Sequence, residues 1–463
     1  MKYKFSLTVL LVLLTALFAV PFVSGGTDMV SVLVQADSVD TAVSIVDAYG
    51  GELDEQLAII NAVSATFPQY MLDAVAADSR TVALHDDQEA NIAGFASARR
   101  AHRLDATFPE VMGVDDVWRE RVMGQHIGVA VVDTGIARDV WNARRIVAQY
   151  DALDEGTRVA DPHGHGTMMA SLIGNNTRDA NGFMGIAPAV QFIDVRVMDA
   201  EGKGTYTDIV EGLNWILENK DHYNIRVVNL SLLGGINSPY WADPINQAVE
   251  QLWDAGIVVV AAAGNEGPDP MTIAAPGNDP FVITVGSFTD NYTPDDMSDD
   301  YITPFSGAGP TEVGFVKPDV VAPGAHMLTT APNYSAWAKD NRDARVKGNY
   351  YEIAGTSAST AVTSGVIALM LQENPEMTPS QVKYALMAAA QPAAYEDNTL
   401  TWSIFQQGAG RVWAPAAVFD PAEGEANAGM IPGEPYIGPT VYRDGQFILV
   451  DENGEPLADA EGY

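Results

Sequence analysis

Between Val114 and Phe419 the chain alternates short aliphatic runs with longer stretches whose apolar residues recur at helical spacing. Ile127–Val132 and Ile257–Ala262 have no polar face at all, and Val190–Val197, Val227–Leu232 and Val282–Val285 are strongly aliphatic. A strand without a polar face must be covered on both sides, which a parallel sheet between helices achieves. The segments Asp208–Asn219 and Pro244–Asp254 have the matching one-sided apolar pattern. The expected fold is therefore α/β, a parallel β-sheet with helices on both faces, spanning about 109–420. Such sheets place their sites at the carboxyl ends of the strands.

A second unit precedes it. Residues 27–90 read as strand Met29–Val34, helix Val39–Tyr49, turn Gly50-Gly51, strand Ile59–Thr66, helix Pro68–Ala77 and strand Thr81–His85. If Glu52–Ile60 splits in two, the order is βαββαβ, a small α+β ferredoxin-like sandwich. In Asn91–Arg103 the patterning fails, so 91–108 is expected to be an exposed linker. Residues 421–463 are acidic and rich in Gly and Pro. A hairpin around Asp444-Gly445 and a disordered tail are both compatible with them.

Lys2 and Lys4 followed by the apolar run Phe5–Val23 and small residues read as an export signal over 1–25. An uncleaved anchor is the alternative, which Pro21 and the small residues disfavour. The 463 residues include 61 acidic and 25 basic side chains, a net charge of −36, which argues against nucleic acid or an anionic membrane as partner. With no cysteine, disulfides and thiolate chemistry are excluded.

Three segments carry candidate chemistry. The strand Ile127–Val132 ends in Asp133-Thr134-Gly135. His163-Gly164-His165-Gly166-Thr167 opens an apolar helix, and Gly355-Thr356-Ser357-Ala358-Ser359 opens another. Singly, each has a plain structural reading: a turn-forming Asp, a packed His, a helix-capping Ser. Together they supply a hydroxyl nucleophile, a base near neutrality and a carboxylate to orient that base. A fourth segment, Ala263-Gly264-Asn265-Glu266-Gly267, offers an amide donor for an oxyanion, joined by the Ser357 N–H at a helix start.

The ordered set Val-Val-Asp-Thr-Gly, His-Gly-Thr, Ala-Ala-Gly-Asn-Glu-Gly and Gly-Thr-Ser-Ala-Ser resembles the subtilisin family, over about Val114 to Val418. The resemblance implies a secreted, monomeric serine endopeptidase that needs no cofactor for its chemistry. Asp133, His165 and Ser357 would form its triad, and Asn265 its oxyanion hole. Gly202, Lys203 and Gly204, with Ser231, Leu232, Leu233 and Gly234, would sandwich a polypeptide substrate as an added strand. Ala262, Ala263, Gly264 and Glu266 would lie by the pocket for the residue before the cut, where Glu266 reads equally as a rim that welcomes a basic side chain and as a solvated turn residue. The unit 27–90 would be an inhibitory propeptide, removed by a cut within Asn91–Arg103. Asn175–Gly185 resembles a calcium loop, with Asp179 as a ligand of a structural ion, and a plain polar surface turn is the alternative.

Rival readings are weaker. A silent peptide-binding relative need not retain all four residues. A lipase-like hydrolase wants a second glycine after Ser357. A dinucleotide enzyme wants Gly-x-Gly-x-x-Gly after the first strand. A zinc protease wants His-Glu-x-x-His, and neither motif occurs.

Overall fold

The structure, a computed structural model, describes residues 28–94, 96–97, 106–138, 140, 143–153, 160–395, 399–443, 445–451 and 453–457. The expected export signal and residues 95 and 98–105 of the expected linker lie outside them.

The N-terminal unit comprises β1 (Met29–Ala36), α1 (Val39–Tyr49), β2 (Glu52–Leu57), β3 (Ala62–Pro68), α2 (Leu72–Ala76) and β4 (Thr81–Asp86). Ser38 caps α1 through Thr41 N, and Gly50 ends it at φ 68°, a left-handed conformation that glycine adopts without penalty. The sheet is antiparallel in the order β2-β3-β1-β4, so the βαββαβ expectation holds. Side-chain alternation gives this sheet two apolar faces. Val32, Val34, Val63 and Phe67 pack on α1, while Leu33, Leu57, Ile59 and Ile60 join the core of the larger domain. The unit is thus docked through the face that its own helices leave bare.

Two short strands follow, β5 (Glu89–Ile92) and β6 (Ala96–Ser97). Then come β7 (Gly128–Asp133), β8 (Ile146–Asp151), α3 (His165–Gly174), β9 (Gln191–Arg196), β10 (Lys203–Thr205), α4 (Tyr206–Tyr223), β11 (Ile225–Leu230) and β12 (Leu232–Leu233). After these lie α5 (Pro244–Asp254), β13 (Val258–Ala262), β14 (Ile283–Thr289), β15 (Tyr301–Ile302), β16 (Val320–Pro323), β17 (Met327–Thr330), β18 (Arg345–Lys347), β19 (Tyr350–Ala354) and α6 (Thr356–Glu373). The central sheet runs β15-β14-β13-β11-β7-β9-β8, with β16 also on β14, and only β15 is antiparallel. Helices α4 and α5 pack together on one face, α3 and α6 on the other. Val129, Val131, Ile193, Val228 and Val260 are fully buried. Each such side chain stabilises the fold by about 1.5–3 kcal/mol. Helix α4 outruns its expected span because Thr205 and Asp208 form a capping box at its start and Asn224 closes its end in the left-handed region.

The expectation of an exposed linker from residue 91 is corrected. Strand β5 is the middle strand of a three-stranded antiparallel sheet, β10-β5-β12, and Ala90 and Ala93 are wholly buried. The segment has no apolar pattern because main-chain hydrogen bonds to its neighbours hold it. Residues 421–457, where described, form an ordered appendage. Asn427 Nδ2 donates to Pro280 O at 2.9 Å, Tyr436 N to Tyr240 Oη at 3.0 Å and Gly438 N to Val313 O at 2.8 Å. Its hairpin, β20 (Thr440–Arg443) and β21 (Gln446–Leu449), is the one expected. Among the described residues no helix is long and apolar enough to cross a membrane.

Candidate active site

Asp133 is the last residue of β7, a central strand, and is 1% exposed. His165 opens α3 and Ser357 is the second residue of α6; both are fully buried, and the two helices pack together. His165 Nδ1 lies 2.7 and 2.8 Å from the two oxygens of Asp133. Gly164, at φ 106°, makes the turn that presents His165; a side chain there would meet Ser335 Oγ at 2.6 Å. Ser357 Oγ donates to Ala93 O at 3.0 Å and Ser231 O at 3.3 Å.

Asn265 follows β13 through Gly264, which has φ 106°. Its Oδ1 accepts from Thr356 N at 3.0 Å and Thr356 Oγ1 at 2.9 Å, which fixes the amide's orientation. Nδ2 is thereby aimed at the cleft, where it donates to Gly94 O at 2.6 Å.

Strand β5 lies between the two segments that the resemblance named. Gly202 O accepts from Ile92 N at 3.0 Å, Lys203 pairs with Asn91 and Gly204 with Ala90. Ser231 O accepts from Ala93 N at 3.2 Å, while Leu232 and Leu233 pair with Ile92 and Asn91. Gly234 turns away, because its backbone pairs with Ala275. Ala262 is buried in β13, and Ala263 and Gly264 give their carbonyls to Ala274 N and Gly307 N behind the cleft. Glu266 is exposed. Beyond residue 94, β6 pairs with β19.

Sequence reasoning missed the device that joins the aspartate and histidine loops. Asp161, fully buried, accepts from Thr134 Oγ1 at 2.8 Å, Gly164 N at 2.5 Å and Thr167 N at 2.8 Å. Thr134 Oγ1 accepts from Gly166 N at 3.0 Å, and Thr167 Oγ1 from Ala137 N at 2.9 Å. Burial pushes the Asp161 carboxyl above its ordinary range, against these hydrogen bonds. The signal was an Asp four residues before His165, which looks like any loop residue. His163, beside His165 at 6.3 Å between ring centroids, is pulled down to about 4 by burial and then by His165, so it is neutral at physiological pH.

The polar side chains of the expected calcium loop have backbone partners. Asp179 Oδ2 accepts from Ala106 N at 2.8 Å, and Oδ1 from Asn181 N at 2.8 Å and Gly182 N at 3.1 Å. Asn175 Oδ1 accepts from Thr177 N at 2.9 Å. Among the described residues no three His, Asp or Glu side chains converge as a metal site. Through these contacts the loop anchors residue 106.

The subtilase family model matches residues 124–410. Serine protease AprX of Bacillus subtilis (strain 168) is 39% identical over 274 residues, 58% of this chain and 62% of that protein. The extracellular serine proteinase of Thermus sp. (strain Rt41A) is 31% identical, over 75% of this chain and 77% of its own. Subtilisin DY of Bacillus licheniformis is 30% identical, over 60% and 88%. The crystal structure of fervidolysin from Fervidobacterium pennivorans, a keratinolytic enzyme related to subtilisin, matches at TM-score 0.67 and 23% identity, over 86% of this chain and 62% of that one, which shows the fold. This chain thus spans about three fifths of AprX and of fervidolysin. The chain belongs to the subtilase family, the subtilisin-like serine proteases.

Proposed function

We propose that this protein is a secreted serine endopeptidase, made as a precursor that cuts itself between Ala93 and Gly94 and then hydrolyses extended polypeptides. One observation carries the reading. The Ser357 hydroxyl reaches the carbonyl oxygen of Ala93 at 3.0 Å, and Ser231 O holds the N–H of that same residue at 3.2 Å. Residues 89–93 therefore lie on the site as a substrate would.

In the proposed reaction Ser357 Oγ attacks the Ala93 carbonyl carbon as its proton passes to His165. Asp133 holds the imidazole tautomer and stabilises the imidazolium. The new oxyanion is met by the Ser357 N–H, at the positive end of α6, and by Asn265 Nδ2, which passes to it from the Gly94 carbonyl. The C–N bond then breaks, His165 returns the proton to the Gly94 amine, and water releases the Ala93 carboxylate by the same steps in reverse. Thr356 acts through Asn265 as a positioning residue. Acyl transfer by these groups requires no cofactor.

The unit 27–90 serves as an intramolecular inhibitor in this reading. Its support is the docking of Gln35 Nε2 on Gln247 Oε1 at 2.8 Å, of Ile59 N on Asn214 Oδ1 at 2.9 Å and of Asp87 Oδ1 on Thr207 N at 3.0 Å. Residues 1–25 act as the export signal, and the mature enzyme is a monomer. N-terminal sequencing tests the scheme. The purified protein is expected to begin at Gly94, and Ser357→Ala to keep the N-terminal unit. A cut at Gly94 that persists in Ser357→Ala would assign processing to another protease.

A further inference from the structure

The strand lying in the cleft records what the cleft accepts. Resting on the self-processing reading, Ala93, Ile92, Asn91 and Ala90 occupy positions one to four before the cut. Directly opposed residues of an antiparallel pair place their side chains on the same face. Ala90 lies opposite Gly204, and a Cβ on Gly204 would collide with Val197 O and stand 3.2 Å from Met198 Sδ. That face therefore points into the domain, and Ala90, 0% exposed, points the same way over a closed floor.

Ile92, two residues on, shares this inward face. It packs over Gly202: a Cβ there would lie 2.9 Å from Ile92 Cγ1 and Cδ1 and 3.4 Å from His163 Nε2. The wall beside position two is thus an imidazole that is 7% exposed and uncharged at neutral pH. Asn91 points outward and is exposed, whereas Ala93 is 0% exposed.

We infer that the mature cleft selects polypeptides with a small side chain at positions one and four before the cut and a branched aliphatic one at position two, Met198 limiting position four and His163 shaping position two. Position three faces solvent and tolerates any side chain.

The test uses the processed wild-type protein and fluorogenic peptides built on Ala-Asn-Ile-Ala before the cut. Phe at position four or position one should lower kcat/KM by at least about tenfold, because overfilling a closed site costs on the order of 1–3 kcal/mol. Lys at position two should lower it by a similar factor, since a cation would be placed against a buried neutral wall. Lys at position three should change it by less than about threefold, as expected for a solvated site. Met198→Ala should relax the penalty for Phe at position four, and His163→Asn should relax that for Lys at position two. Equal rates across the series, or a preference for Arg or Phe at position one, would overturn the inference while casein hydrolysis and a Gly94 terminus leave the protease reading standing. Loss of casein hydrolysis together with no fluorophosphonate labelling of Ser357 would instead remove the protease reading and this inference with it.

Discussion

The central parallel sheet and the three-stranded cleft sheet hold their strands by different physics. Strand β7 is buried along its whole length and is fixed by side chains that no water can reach. Strand β5 reads Glu-Ala-Asn-Ile, alternates exposed positions with a buried Ala90 and a half-buried Ile92, and is fixed by main-chain bonds to Gly202, Lys203, Gly204 and Ser231. Main-chain recognition fixes the register of the bound strand and leaves any choice among sequences to the few side chains that point into the domain. It also releases the strand, because a peptide bonded through its backbone exchanges those bonds for water at little net cost. In the proposed self-processing the core sheet persists and the cleft sheet is temporary.

The sharpest attack on that contrast is Ser357→Ala. It should lower peptide turnover by about a million-fold, the magnitude known from subtilisin itself. It should also leave β5 uncut in the cleft, so that the temporary sheet becomes permanent. A variant that sheds its N-terminal unit at the normal rate would break the link between cleavage and release.

Asn265→Ala removes a donor from the cleft without touching the core sheet. Turnover should fall roughly 100- to 1000-fold, again a magnitude known from subtilisin, with KM little changed. Thr356→Val, which deprives Asn265 Oδ1 of its hydroxyl partner, should show a smaller loss of the same kind. An effect on KM alone would mean that the amide serves ground-state binding.

Within the core sheet the sensitive point is Asp194 on β9, fully buried, with one oxygen bonded to Gln149 at 2.7 Å. Burial pushes it from an ordinary 3.8 up to about 7. Between those values the folded protein keeps a proton that the unfolded chain releases, so stability falls as pH rises through this window and levels off above it. Asp194→Asn should therefore raise the denaturation midpoint at pH 8 and leave it unchanged at pH 3. His163 has the opposite sign. Its pKa falls to about 4, so the stability it permits near neutrality is lost as pH drops from about 6.5 toward 4.

The smallest effect compares one methylene in each sheet. Ile193→Val in the core should cost about 0.5–1.5 kcal/mol. Ile92→Val should cost the processed enzyme nothing, because residue 92 lies on the segment removed by the proposed cut. Equal losses in the mature protein would show that β5 stays bound as a structural strand. A chelator separates the two readings of Asn175–Gly185: a shortened thermal half-life would support the expected calcium ion, and an unchanged one would leave Asp179 to its backbone partners alone.

The repeating aliphatic runs determined the α/β class by themselves, because a strand with no polar side has only one environment open to it. The four short motifs likewise named Asp133, His165, Asn265 and Ser357, since few residue types can perform acyl transfer. Tertiary structure alone decided that Glu89–Ala93 enters the cleft, because main-chain pairing leaves no side-chain pattern. It alone revealed Asp161 as the post joining two loops, and showed that Gly234 and Asp179 satisfy backbone partners elsewhere. A polar side chain's role depends on which groups lie within 3 Å of it, and those groups come from distant parts of the chain.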